Sequence, residues 1–334
     1  MRGNRRTVLG GTLGLAGVAA LGRSVGAQDA SPEAGWSYTD VLGDVIELPE
    51  QPQRVAAVIQ SAAALWDFGI RPETVFGWTA GTYPDGDHVA WGRIDVSAIE
   101  NVATTEVDAV DIEKLIATDP DLIVTWIWDK AVPETSMVSI PADITERLEQ
   151  KAPILIVNQG DSNSVELERI EALAAALGAD LESPELVEQR ETLRATEDAV
   201  RAIAEMKPEL SVLFASFNPD GFYVASPDFV GDLGYVRELG VPIANDGAAG
   251  ATTYWEEISP EQALMYPADV IYVDMYGAWT TLEELQAHST LAAHPAIAAG
   301  QIASWNRDLP LSYIGQNEFL SEILAPLTTA EKVS

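Results

Sequence analysis

Short apolar runs alternate with stretches of helical periodicity along most of this chain. Val55–Ile59, Val75–Thr79, Leu122–Trp126 and Ile154–Val157 are nearly continuous apolar runs of strand length. Between and after them, Ser61–Phe68, Asp111–Thr118, Ile144–Gln150 and Val165–Leu177 carry helical spacing, with Gly69 and Gly178 as stops. Apolar strands alternating with helices predict mainly parallel sheets in an α/β fold. Ahead of them, Tyr38–Leu48, centred on Gly43-Asp44, reads as a hairpin. Ala80–Ser97 reads as a long polar and aromatic loop.

The alternation then breaks. Pro184 to Met206 contains no Gly and no internal Pro, with Ser183 placed to cap it, Pro184 in its first turn and Pro208 beyond its end. This predicts one helix of 23 residues, about 34 Å long. Leu186, Val187, Leu193, Val200 and Ile203 form only a partial apolar stripe, so the helix is expected to be a half-solvated strut. Beyond it, strands are expected at Val212–Phe217, Phe222–Ala225, Val270–Val273 and Ile302–Trp305. Helices are expected at Asp228–Leu239, Pro260–Met265, Leu282–Ala287 and Ile314–Leu324. The expected organisation is an N-terminal α/β lobe over 36–182, a connecting helix over 183–207 and a C-terminal α/β lobe over 208–328.

Residues 1–27 stand apart. They hold Arg2, Arg5, Arg6 and Arg23 and no acidic residue, around the apolar, Gly- and Ala-rich segment Val8–Gly22. That segment is too short to span a bilayer comfortably, and Val25-Gly26-Ala27 supplies small residues for cleavage. Arg5-Arg6 before Thr7-Val8-Leu9 resembles a twin-arginine export signal, leaving 28–35 as a linker. The alternatives are an uncleaved anchor or a basic tail.

Composition then narrows the function. The chain carries 19 basic and 52 acidic residues, a formal net charge of −33, which excludes nucleic acid and anionic membrane surfaces as expected partners. There is no Cys, so disulfides, thiol nucleophiles, thiolate metal sites and a lipobox cysteine are all absent from the sequence. Three His leave little for a histidine-rich mechanism. His88, His288 and His294 could bind zinc or manganese only with further convergent ligands. Gly160-Asp161-Ser162-Asn163 resembles the nucleophile string of GDS-type esterases, but no Asp-x-x-His follows it. The same string more simply opens a helix, with Asn163 and Ser164 as caps and Glu166 and Glu168 in the first turn.

Four strings in order resemble the binding proteins of iron-siderophore and cobalamin ABC importers. They are Tyr38-Thr39-Asp40 through Gln53-Arg54-Val55; Asp111-Ile112-Glu113-Lys114-Leu115 with Asp119-Pro120-Asp121-Leu122-Ile123-Val124; Ile258-Ser259-Pro260-Glu261-Gln262 with Ala268-Asp269-Val270-Ile271; and His294-Pro295-Ala296-Ile297 through Gly300-Gln301-Ile302. The resemblance spans the chain beyond residue 35. It implies a class III periplasmic binding protein: two Rossmann-like lobes joined by a single long helix, no catalysis, no cofactor, and a ligand held between the lobes. It also implies a membrane permease as partner, docking on Glu113 and Glu261, and a monomer exported to the periplasm or the outer face of the cytoplasmic membrane. The bland reading of both glutamates is favourable placement at a helix N-terminus.

In open α/β sheets, ligands bind beyond the carboxyl ends of the strands. Trp91 and Arg93, then Trp126, Trp128 and Lys130, fall there in the first half; Phe217, Tyr254, Trp255, Tyr276, Trp279, Trp305 and Arg307 do so in the second. As a group they are expected to line a cleft for a bulky, partly apolar ligand, while each Trp taken singly could equally be core. The resemblance favours Trp126, Trp255, Trp305 and Arg307. Few cations fall in these positions, and a tricatecholate ferric complex is strongly anionic. A ferric hydroxamate siderophore is therefore favoured, ahead of a corrinoid such as cobalamin, or haem. Hydroxamate-binding relatives carry an Arg just before the first Glu-bearing helix; here that stretch is Ala103-Thr104-Thr105.

Overall fold

A computed structural model describes residues 35–105, 110–128, 131–218, 221–247, 254–276 and 280–334. The export-signal segment 1–27, most of the linker, Lys130 and Trp279 lie outside the described residues.

The chain opens with an antiparallel hairpin, β1 (Trp36–Thr39) and β2 (Val45–Leu48), turning through Gly43 at φ 89°. The first half continues as β3 (Val55–Val58), α1 (Ile59–Asp67), β4 (Thr74–Phe76), α2 (Trp78–Thr82) and β5 (Glu100–Asn101). It then runs through α3 (Ile112–Ala117), β6 (Leu122–Thr125), α4 (Ala142–Glu149), β7 (Ile154–Ile156) and α5 (Asn163–Ala176). Its sheet is wholly parallel, in the order β5-β4-β3-β6-β7. The long helix α6 follows, spanning Pro184–Met206 with the Ser183 side chain accepting from the Leu186 amide.

The second half is β8 (Val212–Asn218), β9 (Gly221–Ala225), α7 (Gly231–Glu238), β10 (Trp255–Ile258) and β11 (Val270–Asp274). It closes with α8 (Leu282–Ala287), α9 (Pro295–Ala299), β12 (Ile302–Trp305) and α10 (Tyr313–Thr329). Its sheet, β10-β9-β8-β11-β12, is mixed: β8, β11 and β12 run parallel, while β9 and β10 fold back antiparallel.

The inner strands are buried on both faces, which is why they read as unbroken apolar runs. Alternation sorts their side chains. Val55 and Ala57 of β3, Val212 and Phe214 of β8, and Val270 and Tyr272 of β11 point into one large core. Ala56 and Val58 point instead into a second core, and Leu213, Ala215, Ile271 and Val273 into a third. The large core is continuous across both sheets and includes α1, α5, α6, α7 and α10. Helix α10 packs along α6, joined by Thr196 Oγ1 to Asn317 Oδ1 at 2.6 Å. Lys207 Nζ donates to the carbonyls of Leu327, Thr328 and Ala330 at the end of α10. No described helix is long and apolar enough to cross a membrane.

Several expectations need correction. The strand expected to run to Thr79 stops at Phe76, because Gly77 takes φ 114° and starts α2. Pro260–Met265 is not an α-helix but a 3-10 turn over Gln262–Met265. The second sheet gains β10, whose Trp-Glu-Glu-Ile sequence shows no continuous apolar run because it is an edge strand. Helix α5 begins at Asn163 with Ser162 as the cap residue, so Asn163 and Ser164 are helical rather than capping.

Candidate ligand-binding site

A cavity of about 290 Å³ lies where both halves meet. Gln60, Trp78, Trp126, Trp128 and Asn158 line it from the carboxyl ends of β3, β4, β6 and β7. Facing them stand Phe229 and Asp232 at the start of α7, Tyr254 before β10, and Arg307 and Asp308 after β12. Its size sits at the lower end for small-molecule sites.

The second-half wall is organised around Arg307. Its guanidinium stacks over the Tyr276 ring at 4.5 Å, and its Nε lies 3.3 Å from Asp274 Oδ1. The Tyr276 hydroxyl donates to Asp308 Oδ2 at 2.7 Å. Although burial opposes its charge, Tyr254, Asp308, Asp274 and Tyr276 outweigh it and hold Arg307 firmly protonated. Arg307 is the sole Arg or Lys lining the cavity among the described residues, and Asp274 already compensates it.

Behind this wall lies a buried polar network that ties the halves together. Asn163 Nδ2 of α5 donates to Asp232 Oδ1 of α7 at 2.6 Å and to Gln316 Oε1 of α10 at 3.1 Å. Trp305 Nε1 donates to Asp232 Oδ2 at 2.7 Å. Burial raises the Asp232 carboxyl to about 7 despite these donors. Across the cavity, Glu166 accepts from the amides of Gly160 and Asp161 at 2.7 and 2.9 Å, and burial raises it to about 7 as well.

Of the residues expected in the cleft, Trp126, Trp128, Tyr254 and Arg307 line the cavity. Trp255, Tyr276 and Trp305 stand one layer behind. Trp255 packs 5.2 Å from the Tyr254 ring and 5.9 Å from the Trp305 ring. Trp305 is fully buried, so it shapes the wall by holding Asp232 rather than by facing the cavity.

Three expectations are corrected. Trp91 is buried in the core, its indole N–H satisfied by the Tyr83 carbonyl at 2.7 Å. Phe217 lies inside β8 and points into the core under the second sheet, edge-on to Phe222. Arg93 pairs with Asp67 and Glu318 at 3.2 and 2.6 Å and lines a different cavity, beside the start of α6.

Trp78, Phe229, Asp232 and Glu166 were missed as site residues. Trp78 falls inside the apolar run Val75–Thr79, which has strand character in the sequence, and Glu166 looks there like any favourable first-turn charge. Asp232 carries no local signal, because its partners are distant in sequence. Among the described residues, no three His, Asp, Glu or Cys side chains converge as a metal site. His294 and His88 accept backbone N–H bonds at turns, as His288 does from Leu291. Ser162 pairs its hydroxyl with Ser164, which donates to Glu238.

Glu113 and Glu261 are both exposed, one in each half. Glu113 lies in the first turn of α3, capped by Asp111, and pairs with Arg147. Glu261 immediately precedes the 3-10 turn.

The sequence model of a family described as periplasmic binding protein matches residues 81–309. An uncharacterized ABC transporter substrate-binding lipoprotein, YvrC of Bacillus subtilis (strain 168), is 21% identical over 268 residues, 77% of each chain. The solved structure of DesE, a ferric-siderophore receptor protein from Streptomyces coelicolor, is 29% identical with a TM-score of 0.79, over 90% of this chain and 100% of that one. VctP, a periplasmic catecholate-siderophore binding protein from Vibrio cholerae, shares the fold at 15% identity and a TM-score of 0.60, covering 87% of this chain and 98% of its own. With the family match spanning more than half its length, and with two α/β halves on either side of one long helix, this chain belongs to the periplasmic binding protein family.

Proposed function

We propose that this protein is the extracytoplasmic binding component of an ABC importer, and that it captures a ferric siderophore of the hydroxamate type. The observation that carries this reading is the cavity itself: aromatic walls from both halves around an arginine, the one Arg or Lys among the described lining residues, whose charge Asp274 already balances. Aromatic faces suit a bulky, partly apolar chelate. A near-neutral ferric hydroxamate needs little compensating charge, whereas a tricatecholate complex would need several cations.

The export reading of residues 1–27, the monomeric state and delivery to a membrane permease complete the proposal. Glu113 and Glu261 are its docking carboxylates, supported by their exposure on separate halves. Reversing both to Arg should abolish uptake by cells while leaving chelate affinity in place; uptake at the wild-type rate would reject the docking role.

The binding reading is tested by titrating the protein and following tryptophan emission. Ferric trihydroxamates, ferric tricatecholates, cobalamin and haem make up the series. Trp126 and Trp128 line the cavity, so a bound ferric chelate should quench them saturably. Tightest binding of a trihydroxamate is expected. A preference for a tricatecholate, cobalamin or haem would replace the hydroxamate assignment, and no response to any of them would overturn the siderophore reading.

A further inference from the structure

Glu166 is a buried carboxylate with more bonding capacity than the fold uses. It lies in the first turn of α5 and folds back on the segment ahead of the helix, where Gly160 takes φ 74°. There Oε1 accepts both amides, Gly160 N at 2.7 Å and Asp161 N at 2.9 Å. Oε2 takes no hydrogen bond among the described residues. The nearby cation, Arg169, is engaged by Asp161 at 2.7 Å. A carboxylate can accept about four hydrogen bonds, and Oε2 is not sealed inside the protein, so its acceptor capacity is open to a partner from outside the fold. Yet Glu166 is only 7% exposed and lines the cavity.

The rest of the cavity has the same sign. Asp232 and Asp308 also line it, and Arg307, the one described cation there, is held by Asp274 outside the lining. A guest therefore meets more carboxyl groups than free positive charge, inside low-dielectric walls that strengthen each interaction. A turn-capping role would not explain Glu at this position. Gln would accept the same two amides without a buried charge.

We propose that Glu166 is a ligand-binding residue: Oε2 accepts a hydrogen bond from an ammonium or other N–H group of the captured chelate, and the cavity thereby selects ferric hydroxamates of positive or zero net charge over anionic ones. This inference rests on the siderophore reading above and adds to it the charge class of the cargo.

The test uses three ferric trihydroxamates that share one chelating chain and differ only at its free end: an ammonium, its N-acetyl amide, and its succinyl derivative ending in a carboxylate. Dissociation constants are measured for the whole protein at about pH 8, where carboxyl groups that titrate near 7 are mostly ionised. Wild type should bind the ammonium form most tightly and the carboxylate form most weakly, with ~10-fold or more between them, the size of one charge-assisted hydrogen bond. In Glu166→Gln the ammonium and N-acetyl forms should bind within ~3-fold of each other, since a neutral amide no longer distinguishes them. Equal binding of all three by wild type overturns the inference, and does so without any variant. An undiminished ammonium preference in a folded Glu166→Gln protein overturns the role of this residue. Binding of none of the three overturns this inference together with the hydroxamate reading, whereas equal binding leaves that reading standing.

Discussion

The tightest constraint at the residue scale is where α7 meets α5. A Cβ on Gly231 would stand 2.2 Å from Asn163 Oδ1 and 2.7 Å from the Asp161 carbonyl. Gly231 thus lets the two helices approach until Asn163 can reach Asp232. Gly231→Ala should cost roughly 1–3 kcal/mol in urea unfolding, the usual range for forcing extra atoms into a packed site. An unchanged midpoint would mean that the two halves can separate there freely. Asp232 makes a second prediction. Its carboxyl is raised by burial from 3.8 to about 7. The folded state therefore holds a proton that the unfolded state has released. The stabilisation is complete below about pH 4 and is lost as pH rises through about 7. Asp232→Asn cannot titrate, so the fall in stability between about pH 5 and 8 should become shallower, with the remainder carried by Glu166. A slope equal to that of wild type would show that Asp232 is ionised throughout.

At the scale of elements, α6 shows how local signals and tertiary packing divide the work. Its ends are set locally, by Ser183 as cap and Pro184 in the first turn. Its burial is modest: Leu186, Leu193, Val200 and Ala204 face the core, while Val187 and Ile203 are only half-buried. A helix with so narrow an apolar face depends on its cap more than a buried one would. Ser183→Ala should lower stability by about 1 kcal/mol, measured by thermal or urea unfolding. No measurable loss would assign the start of α6 to Pro184 and packing alone. The strand ends matter more for function. β4 stops at Phe76, before Gly77, and this early stop delivers Trp78 to the cavity as the first residue of α2.

At the scale of the whole molecule, the continuous core argues against a freely moving hinge. One cluster of apolar side chains runs from β3 through α1, α5 and α10 to β8 and β11. The Asn163–Asp232–Trp305 network crosses between the halves at the same level. Separating the halves would expose this shared core and leave a buried carboxylate short of donors. Small-angle scattering with and without a bound chelate should therefore change the radius of gyration by less than about 1 Å. A larger compaction would show that the cavity described here is the closed state of a mobile pair. Binding in a largely preformed cavity also fits the exposed aromatic side chains at its rim. Trp128 is 57% exposed and Phe229 40%, and both line the cavity from opposite halves.

The sequence by itself determined the α/β class, the strut helix to the residue, and four of the cavity's residues: Trp126, Trp128, Tyr254 and Arg307. These follow from local physics. Strands buried on both faces must be apolar throughout, a helix start needs a cap, and loops beyond parallel strands must lie at one edge of their sheet. The tertiary structure alone decided which aromatic side chains are walls and which are core. Trp91, Trp126 and Trp305 all follow or end short apolar segments, yet only Trp126 lines the cavity. What separates them is the partner that each indole finds, a turn carbonyl for Trp91 and a carboxylate from another helix for Trp305. Asp232 and Glu166 were illegible for the same reason. A buried carboxylate is defined by the groups around it: Asn163 and Trp305 come to Asp232 from 69 and 73 positions away in the chain, and Gln316 comes to Asn163 from 153. Such contacts exist only after the two halves have closed on a common core.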